Sequence, residues 1–170
     1  IVSKLMKLIN NKNVTYFESN LLKKHNFIHA FFTRKSQKNE PKQLQNKLNL
    51  TSSIHLLKQV HSNKIVTINN TLDLRMRTGD CLMTNKNFTS LWIYTADCIP
   101  ILIADIKTRT IAACHCGLKG LNKKIITKTL KRLKEVASKK NNLIITIGPS
   151  IKEENYQVRK KDVKGLIIQI

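Results

Sequence analysis

At 170 residues with 41% hydrophobic content, the chain is long enough for one domain with a real core and has the composition of an ordinary soluble globular protein. Its 31 basic and 10 acidic side chains give a formal net charge of +21, a field that favours phosphates, nucleic acid or anionic surfaces, but the lysines are dispersed among Asn and Ile and the aromatic content of 5% does not suit a single-strand stacking platform. No apolar run approaches the length of a membrane span, no secretory h-region opens the chain, and a chain of this size does not need disulfides, so a cytoplasmic location with free thiols or metal-ligating cysteines is expected.

In chain order, residues 1–24 alternate short apolar groups with Lys and Asn and define no element. The stretch FIHAFFTR, Phe27 to Arg34, reads as a buried strand, and KSQKNEPKQLQNK after it as a polar loop with a short helical turn. HLLKQVH and KIVTI are short strands separated by the turn residues Ser62 and Asn63, and SLWIYTA, Ser90 to Ala96, is another strand.

Two apolar runs then flank the polar segment Asp105 to Thr110, which predicts a hairpin turning at Lys107 and Thr108. In that register Asp105 faces Thr110 and Cys98 faces Gly117, so His115 is diagonal to Cys98 on one sheet face, with Cys114 and Cys116 on the other. A one-residue slip would exchange the two sets. From Leu118 the period changes: Leu118, Leu121, Ile125, Thr129, Leu133 and Val136 recur at helical spacing, predicting an amphipathic helix from Leu118 to Lys139. NLIITIGPS, Asn142 to Ser150, reads as a further buried strand, and the terminal GLIIQI has strand-like composition. The expected fold class is therefore mixed α/β: a single domain with a partly antiparallel sheet and the long helix on one face.

Catalytic zinc sites use three His, Cys or carboxylate ligands and keep a fourth position for water or substrate. Cys98 and His115 supply two such donors, and His61, at a strand end followed by turn residues, is the best-placed third; His25, His29 and His55 stay open as alternatives. Asp97 either orients a histidine ring or closes a turn. Gly117 and Gly120 bracket the helix start beside Lys119; they either form a tight strand-to-helix turn or, with the helix N-terminus, an anion site. Two rival readings use the same residues differently. Cys98 and His115 could form a metal-free thiol hydrolase dyad, or the charge could serve a nucleic-acid binder without catalysis.

The segments HAFFTR, KQVHSNKIV, GDCLMT, LWIYTADCIPILIAD, AACHCGLKG and IGPSIKEENYQV, which follow one another between about Phe27 and Val158, resemble the multicopper polyphenol oxidase or laccase-domain proteins, regarded as zinc-containing purine nucleoside phosphorylases. The resemblance implies layered sheets and helices, with His61, Cys98 and His115 as both metal ligands and catalytic residues. It also implies zinc, with copper possible, and phosphorolysis of adenosine, inosine, guanosine or methylthioadenosine, accompanied by adenosine deaminase activity. Lys119, Arg34 and the helix start with Gly117 and Gly120 are the groups expected to position phosphate and substrate. The family's His-Ala-Gly-Trp-Arg-Gly reads His-Cys-Gly-Leu-Lys-Gly here, so Leu118 stands for an aromatic residue and Lys119 for an arginine. Relatives continue beyond the Gly-Pro segment, so the single domain over 1–170 is expected to lack a C-terminal portion, which leaves a catalytically degenerate relative as the alternative.

Overall fold

The structure, a computed structural model, describes residues 5–11, 14–36, 38–136 and 142–157. Its centre is a five-stranded sheet, made by β6 (Ile65–Thr67), β8 (Cys81–Thr84), β10 (Ile99–Asp105), β11 (Ile111–Cys116) and β12 (Leu143–Ile147) in the order β12-β10-β11-β8-β6. All neighbours pair antiparallel except β6 with β8. A separate antiparallel sheet joins β1 (Met6–Asn11), β2 (Val14–Ser19) and β3 (Phe31–Phe32), and two short parallel pairs join β4 (Ser53–His55) to β9 (Thr89–Leu91) and β5 (Leu57–Lys58) to β7 (Arg77–Thr78). The fold is mixed α/β, as expected from the sequence.

The hairpin register is the expected one. Ile99 faces Cys116 and Ala104 faces Ile111, and the Asp105 amide donates to the Thr110 carbonyl at 2.8 Å. The Asp105 carboxylate accepts the amides of Lys107 and Thr108, each at 2.8 Å, which closes the turn where two backbone donors would otherwise be unpaired. Side chains alternate from this register. Cys114 and Cys116 of β11 join Cys81 and Met83 of β8 and Ile101 and Ile103 of β10 in one core; Ala104 and Leu82 pack on the other side.

Two helices follow β11 where one was expected. α1 (Asn20–Lys24) and α2 (Pro41–Lys47) precede them in the chain, and α3 (Leu118–Asn122) and α4 (Ile125–Val136) divide the predicted helix. Lys124 takes a left-handed backbone, φ 60°, and the side-chain amide of Asn63 donates to the Lys123 carbonyl, so the chain turns between the two. That turn lets Ile125 and Leu133, both 0% exposed, enter the core of the central sheet. Residues 137–139 of the predicted helix lie outside the described residues, as does the terminal GLIIQI.

Other expectations need correction. Among the described residues up to Lys24, β1 and β2 pair antiparallel and α1 follows, where no element was expected. Within Phe27–Arg34 only Phe31 and Phe32 are strand: Phe27 and Phe31 are buried while Ile28 is 79% exposed, and a 3-10 turn begins at Arg34. The short helical turn expected in the polar segment after it is present as α2, begun by Pro41 at its first position and a reciprocal Glu40–Gln43 cap. Of Ser90–Ala96 only the beginning is strand. β8 was not predicted, because Cys-Leu-Met is too short a run to stand out and its place at the heart of the sheet comes from partners distant in the chain.

Candidate metal centre

His61 follows β5 in a turn, Cys98 immediately precedes β10, and His115 is on β11. Their donor atoms all lie within 4.8 Å of one another, a grouping able to hold a metal ion. The Cys98 sulfur is 3.9 Å from His61 Nε2, and the two imidazole rings meet edge to face with centroids 4.7 Å apart. With metal bonds of about 2.0 Å to nitrogen and 2.3 Å to sulfur, tetrahedral geometry puts donors roughly 3.3–3.6 Å apart, so the set would have to draw closer to bond one ion. His115 is buried, Cys98 half-buried and His61 exposed, which leaves the cluster open to solvent on one side.

Gly117 makes the convergence possible. A Cβ there would come 2.7 Å from His61 Cδ2 and 3.1 Å from the Cys98 sulfur. Its role is close approach, at a φ of −76° that any residue adopts. A Cβ on Gly120 would stand 3.0 Å from the Ser62 carbonyl, so this glycine lets α3 rest against the His61 turn.

Behind the cluster lies Asp80, 0% exposed, which the sequence did not single out. Its Oδ1 accepts His115 Nδ1 and the His61 amide, both at 2.9 Å; its Oδ2 accepts the Ser62 amide and hydroxyl, each at 2.7 Å, and the Val60 amide at 3.3 Å. Burial works against the charge, but the donors from Ser62, His115 and Val60 outweigh it and hold the carboxyl below its ordinary value. Asp97, the carboxylate the sequence offered for orienting a ring, is exposed, and its carbonyl accepts the Ile151 amide. Position in the chain suggested Asp97; the pairing of β8 with β11 brings Asp80 to the imidazole.

The remaining predicted residues are placed as follows. Lys119 is exposed in the first turn of α3, and Arg34 is exposed on the 3-10 turn after β3. α3 has only five residues, too few for the long-helix dipole the sequence suggested. His29 is committed elsewhere: its ring joins the Ser19 amide to the Phe27 carbonyl. His55 is buried against Ser53. Burial pushes the Cys98 thiol up, with the Asp97 and Asp80 carboxylates adding to it, so without a metal it is a poor nucleophile. Cys114 and Cys116 are core thiols, the first raised by Cys81 and burial, the second pushed up to about 12 by burial. The Cys81 and Cys114 sulfurs lie 2.8 Å apart.

A mixed α/β domain with a His/Cys/His cluster able to take a metal defines the class. Residues 33–168 match the family of multi-copper polyphenol oxidoreductase laccases, and the chain belongs to it. Among its relatives is a purine nucleoside phosphorylase of Rickettsia prowazekii, RP494, 30% identical over 169 residues, covering 95% of this chain and 68% of that protein. The purine nucleoside phosphorylases slr1573 of Synechocystis sp. and RC0672 of Rickettsia conorii are 31% and 30% identical, covering 76% and 84% of this chain. The chain spans only 52% and 60% of those two proteins. The fold matches YfiH of Bacillus licheniformis at a TM-score of 0.66 and 21% identity, over 96% of this chain and 70% of that one. Neisseria meningitidis NMB0706 matches at 0.64 and 18% identity, over 95% and 69%.

Proposed function

We propose that the chain acts as a purine nucleoside phosphorylase, with His61, Cys98 and His115 as the ligands of a catalytic zinc ion. The observation that carries the reading is the convergence of three donors from distant parts of the chain, with Gly117 leaving them room. Two imidazoles and a thiolate suit zinc, and copper would also accept such a set. A bound zinc ion would supply Lewis-acid polarisation of a coordinated group.

The chain's own residues bind and orient. His115 is fixed through Asp80, and His61 remains at the solvent side, where a nucleoside can approach. Lys119 and Arg34 supply cationic charge for phosphate, which attacks the ribose anomeric carbon as the bond to the base breaks, giving free base and ribose 1-phosphate. Adenosine, inosine, guanosine and methylthioadenosine are the proposed substrates, and deamination of adenosine is a proposed side activity at the same centre. The raised Cys98 thiol disfavours the metal-free hydrolase.

Purified protein should contain about one equivalent of zinc per chain and release hypoxanthine from inosine only when phosphate is present. Cys98→Ala should lose both the metal and the product. Turnover that survives this substitution, or that resists a strong chelator, would refute the assignment.

A further inference from the structure

We propose that Asp80 is the positioning residue for both histidine ligands, setting the His115 tautomer and the His61 backbone through one buried carboxylate. This inference rests on the metal reading of the cluster. The five donors it accepts divide by task. His115 Nδ1 must carry a proton to donate to Oδ1, which leaves the lone pair on Nε2, the nitrogen free to face the other two donors. The amides of Val60, His61 and Ser62 converge on the same carboxylate, and His61 sits among them in a left-handed conformation, φ 55°. A β-carbon-bearing residue adopts that conformation seldom, so the turn needs a partner that rewards it. Asp80 provides three hydrogen bonds to the backbone at that point.

Asparagine cannot reproduce the arrangement. Its amide offers one accepting oxygen and would turn N–H donors toward either His115 Nδ1 or the Val60 and Ser62 amides, where donors already point.

The first test uses the wild-type protein stripped of metal: nitrogen-15 NMR of the His115 ring above pH 7 should show the Nδ1–H tautomer. The Nε2–H tautomer would overturn the proposal, and because no variant is involved, folding defects cannot confuse it. The second test measures zinc affinity by competition with a chromophoric chelator. Asp80→Asn, checked for native circular dichroism, should bind zinc about 10–100-fold more weakly. Should that variant fail to fold, the wild-type tautomer decides. Wild-type protein that takes up no zinc would remove the metal reading and this inference with it, whereas wild-type uptake with an unchanged affinity in Asp80→Asn would remove the inference alone.

Discussion

Gly117 is the position at which a single methyl group tests the centre. Gly117→Ala puts its Cβ against His61 and the Cys98 sulfur, and His61, exposed and in a turn, is the partner that can move away. Zinc affinity should fall at least about tenfold, the scale of disturbed surroundings of metal ligands, while the melting temperature changes by no more than a few degrees. Equal loss of affinity and fold would contradict the assignment. The sequence made His61, Cys98 and His115 readable because each closes or borders a short apolar run. Asp80 was hidden for the opposite reason: nothing near it in the chain marks it, and its partners are 18 to 35 residues away.

At the level of elements, α4 is held by its inner face. Leu133 is fully buried against the central sheet, and Leu133→Ala should cost about 2–5 kcal/mol in chemical denaturation, whereas Lys131→Ala on the outer face should stay within about 0.5 kcal/mol. The helical period exposed this face correctly. It could not expose the break at Lys123 and Lys124, because that break depends on Asn63, 60 residues earlier. The junction of β2 and α1 carries a pH-sensitive link. His29 Nε2 accepts the Ser19 amide at 2.7 Å while Nδ1 donates to the Phe27 carbonyl at 2.8 Å, an arrangement only the neutral ring can make. Burial, the largest influence, lowers its pKa below the ordinary 6.5. The unfolded chain therefore binds the extra proton first, so the stability from His29 is complete above pH 6.5 and lost as the pH falls through the folded value. Urea midpoints should drop from pH 7 to pH 5, and His29→Asn should flatten that slope.

For the molecule as a whole, the +21 charge sets a field around the proposed centre. Phosphate and other anions are drawn in at low salt, and the Debye length shrinks to about 10 Å at 0.1 M. Raising added sodium chloride from about 20 to 200 mM should therefore lower kcat/KM for phosphate several-fold and leave kcat nearly unchanged. A salt-independent kcat/KM would show that the charge serves another purpose. The hairpin at the centre was legible to the exact register because Asp105 and the turn fix it locally. The order of the sheet was not, since β6 and β8 reach their places through pairings that no local pattern announces.

Neighbouring residues lie to opposite sides where β8 begins and where β11 nears its end: Asp80, just before β8, then Cys81, and Cys114 then His115. The thiol pair Cys81 and Cys114 is thus one peptide bond from the carboxylate and imidazole behind the cluster, yet shielded from solvent. A carbon-13 label on those two cysteine β-carbons would make a built-in reporter, shifting when the ligands close around an ion and never touching it. Such a probe would follow occupancy in real time in an otherwise unaltered protein.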